Sequence, residues 1–462
     1  MSAANPSDTL AALWRLAGLP DEALHFAHLT GSDPVYPSSF AVATAAQSTI
    51  AAAALAACEV GHARGTPRQT VSVDATHAAV ECLGWFSIDG HVPEPWDRFS
   101  GLYRTRDGWV RIHANFAHHR EGALRLLGLA PATADRAAAE QAMLRWDAQD
   151  FENAAAQAGL VATRLRSFDE WDASPAGQAV AAQPLFTVTR IGDAPPLALP
   201  ALGEDQRPLE GVRVLDLTRI LAGPVGGRAL AAYGADVMLV NAPHLPNIEA
   251  IADTSRGKRS ALVDLRSAEG ADAMRALLAD AHVFLQGYRP GGLQALGFGP
   301  QDAAAHRPGI VYVSLTAYGA QGPWSGRRGF DSLVQTAMGF NHAEAEAAGD
   351  PAKPRPLPMQ ILDQATGYLI AFGAAAALLR QQREGGSWHV QVSLAQTGHW
   401  LRQLGRVDAG FAVAPPALEP FLETSASAYG QLQAVRHAAQ LGRTPAVWVR
   451  PSARPGDAPA RW

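Results

Sequence analysis

From Leu209 onward the chain alternates short apolar runs with helical stretches, and that alternation restricts its fold more than any other feature. Val212–Leu217, Val237–Val240, Ala261–Asp264, Val283–Leu285 and Ile310–Ser314 each read as a buried strand. Helices are expected between them over Pro224–Tyr233 and Ser267–Ala279. Short apolar strands alternating with helices predict an α/β unit, a doubly wound, Rossmann-like parallel sheet covered on both faces. Ligands of such sheets bind beyond the carboxyl ends of the strands. The loops leaving those ends are Thr218–Gly223, Gln286–Gly291 and the long, Gly-rich Thr316–Gly329. A loop of that length in a compact unit is more often functional than idle.

The run Pro358–Leu394 extends this pattern. Asp363 stands where an N-cap would stand, before an uncharged helical run that reaches Leu379. Arg380 and Arg383 suit the last turn, and Gly385-Gly386 suits the stop. Trp388, Val390, Val392 and Leu394 then alternate with polar residues, which is strand periodicity. Asp363 is therefore a cap or, at the mouth of a parallel sheet, a nucleophile. On local sequence alone the cap is the commoner role.

The rest of the chain divides at composition shifts. Residues 206–400 are expected to form the doubly wound sheet domain, and residues 86–205 a smaller α+β domain with its linker. The latter opens on a hairpin, Leu102–Ile112 around Asp107-Gly108, and ends in Pro-rich sequence. Residues 1–85 contain a helix–Gly–strand–helix order that repeats the later stretch, with Val71-Ser72 falling on Val392-Ser393 and Gly65 on Gly386. In that register Asp363 falls on Val42, so the first copy lacks the carboxylate. Residues 401–462 read as an extended return segment with one helix near Tyr429–Leu441.

Several classes are disfavoured. A net charge of −5 over 462 residues leaves no basic footprint for nucleic acid. Cys58 and Cys82 are the only cysteines, and the histidines form no metal constellation. No G-x-S-x-G occurs, and Asp216–Gly227 lacks G-x-G-x-x-G spacing. Phe40–Cys58 contains Gln47, Ser48 and Thr49, which suits a buried helix better than a membrane span. The N-terminus has no basic n-region, so a cytoplasmic protein is expected. Two motifs carry cations: Arg256-Gly-Lys258-Arg259-Ser, a solvated basic turn or a phosphate anchor, and Gly287–Pro300, which sets Tyr288 and Arg289 at a strand end.

Taken together, LEGVRVLDLTRILAGP, RGKRSALVDL, GYRPGGLQALGFGPQD, IVYVSLTAYGAQGPWSGRRGFDSLVQTAMG, LDQATGYLIAFGAAAALL and WHVQVSLAQ resemble the class III CoA-transferases. That group includes formyl-CoA transferase, carnitine CoA-transferase and alpha-methylacyl-CoA racemase. The resemblance implies that Asp363 is the nucleophile. It also implies that coenzyme A, as cosubstrate, lies against Ile220, Leu221, Ala222, Tyr288, Arg289, Pro290 and Leu394, with Arg256, Lys258 and Arg259 beside it. The partners it implies are an acyl-CoA and a carboxylic acid acceptor, with no metal and no tightly bound cofactor. Two features depart from the family: Leu239-Val240-Asn241-Ala242 replaces a Lys-Val-Glu type strand end, and the small domain precedes the large one. The chain resembles one and a half fused copies, which implies a pseudo-dimeric monomer or a homodimer. The alternatives are a racemase-like isomerase and an inactive CoA-binding homologue. The family's racemases carry a His before the Asp of Gly329-Phe330-Asp331; here Phe330 cannot exchange a proton, and His342 is the nearest substitute in sequence.

Overall fold

Valine, leucine and isoleucine crowd the short runs after Leu209 because those strands are buried on both faces. The computed structural model describes residues 4–462. Seven strands form one sheet: β1 (Phe186–Gly192), β2 (Arg213–Leu217), β3 (Asp236–Asn241), β4 (Lys258–Leu262), β5 (Val283–Gln286), β6 (Val311–Thr316) and β7 (Ser387–Ser393). Their order is β4-β3-β2-β5-β6-β7-β1. All neighbours are parallel except β7 and β1. Alternate side chains feed two cores. Val214, Val237, Val283 and Val311 enter one, while Leu215, Met238, Phe284 and Tyr312 enter the other. The winding direction reverses between β2 and β5, and crevices at such a reversal are where α/β sheets hold ligands.

Five helices position the rest: α1 (Val42–Ala63), α2 (Ala222–Ala232), α3 (Asp331–Met338), α4 (Ile361–Glu384) and α5 (Leu394–Gln403). α4 packs against α1 and α2. It can be buried all round because no charge interrupts it between Asp363 and Arg380. Gly226 on α2 meets Gly367 on α4 so closely that a Cβ on Gly226 would stand 2.9 Å from the Gly367 carbonyl oxygen. α1 and α4 are long and apolar enough to cross a membrane by length and composition, and the apolar stretch of each is wholly buried in the protein.

A smaller three-stranded antiparallel sheet (Gly101–Arg104, Trp109–Ile112, Ala162–Arg164) has its own apolar cluster, built on Tyr103, Val110, Leu124, Met143 and Phe151. Two expectations are corrected. Phe186–Gly192 leaves the small-domain stretch and closes the edge of the large sheet as β1, antiparallel to β7. Its pattern was weak because an edge strand is only half buried. The helix expected near Tyr429–Leu441 is instead a strand, Gly430–Val435, paired with Leu422–Ser427 and with Phe86–Ile88. Its alternation of Leu432 and Ala434 inward is strand periodicity that small residues disguised. At the N-terminus, α1 is followed by strand Val71–Asp74 and helix Ala75–Glu81, the same element order as α4, β7 and α5.

Candidate active site

The turn after β2 is held from beneath. Asp216, at full burial, accepts hydrogen bonds from the Thr218 N–H (3.0 Å) and from Lys258 Nζ (2.9 Å), and Lys258 also donates to the Pro224 carbonyl (2.8 Å). The chain then passes Ile220 at φ 76°. A β-branched residue rarely adopts that conformation, and such strain concentrates at functional sites. Gln286 fixes the turn after β5, accepting from the Tyr288 N–H (2.8 Å) while donating to Ser314 Oγ (3.0 Å).

These turns and the long loop after β6 enclose a cavity of ≈ 420 Å³ at the sheet's reversal point. Arg219, Arg289, Arg327 and Arg328 line it, with Tyr288, His118 and His119. Arg328 is spent on the Gly159 carbonyl and His119 Nε2, and Arg327 lies on the Trp324 ring. The Arg289 side chain makes no ion pair or hydrogen bond among the described residues and is exposed, while Arg219 donates to the Pro246 carbonyl and keeps a buried, unpartnered Nε. One free guanidinium and one only partly engaged, in a ligand-sized crevice, suit phosphate.

A second cavity of ≈ 650 Å³ adjoins the first, and Ile220 and Phe330 line both. Asp363 reaches its wall from the first turn of α4. The helix start is Gln360, so Asp363 is not the N-cap that its sequence position suggested. Its backbone N–H instead donates to Asp331 Oδ2 (2.9 Å), while Gln335 Nε2 donates to Asp331 Oδ1. The Asp363 carboxylate itself has no hydrogen-bond partner among the described residues and is 8% exposed. Burial raises both acids. Asp331 is pushed up to about 7 against the pull of its hydrogen bonds, and Asp363 rises well above the usual range through burial and the charge of Asp331. Since Asp331 accepts two N–H groups, it is the partner that ionises first. Phe330, just before it, stacks on the His113 ring at 3.9 Å.

The remaining expected residues separate into two groups. Ile220, Tyr288, Arg289 and Pro290 line the first cavity, and Leu221 lines the second. Ala222 and Leu394 are buried first residues of α2 and α5 rather than cavity wall. The basic turn is corrected. Arg256 pairs with Asp253 and Glu423 (3.0 Å) and lies 3.8 Å from the Trp448 ring centre. Lys258 holds Asp216, and Arg259 pairs with Asp236 (2.8 Å). Apart from Asp253, their acidic partners are remote in sequence, so the charge cluster looked free. His342 lies on an exposed helix face near Glu346 (3.4 Å) and lines neither cavity. Arg219, Arg327, Arg328, Asp331 and His113 were not singled out by sequence as binding or catalytic groups. Arg219, in the first βα turn, and the Arg327-Arg328 pair in the Gly-rich loop were the available signals.

A carboxylate and a cationic crevice thus adjoin at the reversal point of a doubly wound sheet. Residues 209–409 match the model of CoA-transferase family III. A probable fatty acyl-CoA transferase of Mycobacterium tuberculosis is 37% identical over 202 residues, covering 41% of this chain and 50% of that protein. An acyl-CoA transferase of Gibberella moniliformis is 29% identical over 380 residues, covering 73% of this chain and 66% of its own. The succinyl-CoA:glutarate CoA-transferase of Mus musculus is 35% identical over 205 residues, covering 41% and 46%. A crystal structure of a hypothetical protein from M. tuberculosis aligns at 36% identity over 43% of this chain and 58% of its own, with a TM-score of 0.39. The chain thus spans about half to two thirds of the length of these relatives.

Proposed function

We propose that the protein transfers CoA from an acyl-CoA to a carboxylic acid, with Asp363 as the covalent nucleophile. The observation that carries this reading is the unpartnered Asp363 carboxylate in a cavity that shares Ile220 and Phe330 with the arginine-lined crevice. The names of the relatives support the same reaction class. In this reading the crevice receives the phosphate end of CoA through Arg219 and Arg289, and the thioester lies in the second cavity.

An Asp363 oxygen attacks the thioester carbonyl, the C–S bond breaks, and CoA leaves as thiolate from a mixed anhydride. The thiolate then attacks the Asp363 acyl carbon, which frees the donor acid and leaves an aspartyl-CoA thioester. An acceptor carboxylate displaces the thiolate to form a second anhydride. Return of the thiolate to the acceptor's acyl carbon releases the new acyl-CoA and restores Asp363. Covalent steps of this kind divide one difficult exchange into easier ones. The helix dipole at the first turn of α4 works against the burial and the Asp331 charge, which hold the proton on Asp363. Isomerisation needs an acid–base pair across the alpha carbon, and neither Phe330 nor the remote His342 supplies one.

The whole-chain organisation belongs to the same reading. The N-terminal helix–strand–helix unit stands as a partial second copy inside a pseudo-dimeric chain with one active site. At α1 the corresponding helix start is filled by Asp33, whose oxygens accept the N–H groups of Ala43 (2.9 Å) and Thr44 (2.8 Å). The test is Asp363→Ala together with hydroxylamine trapping. Transfer is expected to disappear with the fold retained, and wild-type protein incubated with acyl-CoA is expected to carry a hydroxamate at Asp363. Full activity in the Ala variant would remove the covalent mechanism.

A further inference from the structure

Gln364 follows Asp363 on α4, and both side chains line the same ≈ 650 Å³ cavity. Gln364 is 1% exposed, yet its amide makes no hydrogen bond among the described residues, and its Oε1 is buried without a partner. A buried amide left unpaired is costly until something arrives to pair it. Its nitrogen stands over Gly84, another residue of the cavity wall: a Cβ on Gly84 would lie 3.0 Å from Nε2. The amide end therefore reaches the cavity rather than the packed interior of α4.

Other donors near the nucleophile are engaged. The Asp363 N–H goes to Asp331 Oδ2 (2.9 Å), and the Gln364 N–H goes to the Gln360 carbonyl (3.0 Å). The backbone of these two residues has no N–H left to give. Asn115 Nδ2 donates to the Pro95 carbonyl (2.8 Å), and the cavity wall contains no lysine or arginine. A cation there would pair with the Asp363 carboxylate before any reaction and so hold the ground state as firmly as the transition state. A neutral amide N–H meets charge that exists only once attack has begun. The other buried, unpartnered polar atom of the wall is His113 Nδ1, on a ring stacked against Phe330 at 3.9 Å.

We propose that Gln364 is a catalytic residue whose side-chain N–H holds the carbonyl oxygen of the acyl group that Asp363 attacks; the assignment rests on the CoA-transfer reading. As an Asp363 oxygen bonds to the thioester carbon, the C=O electron pair moves onto the carbonyl oxygen, and the amide donates a hydrogen bond to that oxyanion. The pair returns as the C–S bond breaks, and CoA leaves as thiolate with no proton taken from Gln364.

Gln364→Met keeps the side-chain length and removes the N–H groups. Its midpoint in urea is expected to match or exceed that of wild type, because an unpaired buried amide is gone; a merely structural glutamine would not give that result. Asp363 acylation is read as hydroxamate formed in one turnover of acetyl-CoA or succinyl-CoA, whichever wild type turns over faster. It is expected to slow about 100- to 1000-fold in Gln364→Met, with the Kd of that acyl-CoA changed less than about twofold. Gln364→Asn keeps the amide but withdraws it by one carbon; it is expected to be about tenfold slower or more, and serves if Gln364→Met fails to fold. Infrared spectra of the same acyl-CoA bound to Asp363→Ala give a second readout. The thioester C=O band is expected to rise in frequency when Gln364→Met is added and to stay in place when His113→Leu is added. Unslowed acylation in Gln364→Met, or a band that moves with His113→Leu alone, overturns the assignment and leaves the transfer reading standing. Wild type that transfers CoA without forming hydroxamate, with transfer still about 100-fold slower in Gln364→Met, keeps the amide donor and removes the covalent route.

Discussion

Replacing Asp331 with Asn tests the carboxylate pair directly. An ordinary Asp releases its proton near 3.8, and Asp331 holds its own up to about 7. That difference is roughly a thousand-fold in proton affinity, or about 4 kcal/mol. The sign follows from proton binding. Between pH 4 and 7 the unfolded chain has lost this proton while the folded protein keeps it, so folding stability from the pair is full below about pH 4 and is lost as pH rises through 7. Asn carries no charge at any pH. It leaves one amide N–H opposed to the Gln335 donor, a pH-independent cost of about 1 kcal/mol. Asp331→Asn is therefore expected to be slightly less stable than wild type below about pH 4. It is expected to gain on wild type by a few kcal/mol at most by pH 8. Urea unfolding at both pH values reads the difference. Removing the neighbouring charge also lowers the affinity of Asp363 for its proton, so the acid limb of kcat/KM should move to lower pH. A stability difference that stays constant from pH 5 to pH 8, with an unmoved acid limb, would refute the coupling of the two acids.

Two further outcomes separate structural from binding cations. Lys258→Met strands the fully buried Asp216 charge and is expected to cost about 3–5 kcal/mol in urea unfolding; a loss under 1 kcal/mol would show that the turn after β2 does not depend on this pair. Arg289→Ala removes an exposed, unpaired cation and is expected to leave stability within about 0.5 kcal/mol. CoA affinity in that variant is expected to fall about tenfold at low salt and less at high salt, by titration calorimetry; unchanged affinity would place the phosphates elsewhere.

The large sheet was legible because β2, β3, β5 and β6 are apolar on both faces, a pattern that little else in a soluble chain produces. β7 and α4 were legible for the same reason, and α4 carried Asp363 with it. The role of Asp363 within its helix was misjudged by three positions, since Gln360 begins α4 without a capping side chain. β1 was lost because only one of its edges pairs, and its exposed Thr189 and Arg190 read as linker. The basic turn misled for a different reason. Three neighbouring cations are visible in sequence, while Asp216, Asp236 and Glu423, which pair with them, are reached only through the fold. His113 was invisible as a cavity residue because a short hairpin gives no sign of which face meets a distant loop.

The contact between α1 and α4 sets a timetable for synthesis. Roughly 300 residues separate Ala63 from Ile361. At about 5–20 residues per second, α1 leaves the ribosome about 15–60 s before the helix that covers it exists. During that interval a 22-residue helix whose length and composition would also suit a membrane has no native partner on that side. Holding such a segment apart from lipid and from other nascent chains is chaperone work. The carboxylate at the head of α4 acquires its final surroundings only when the oldest and the late-made parts of the polypeptide meet.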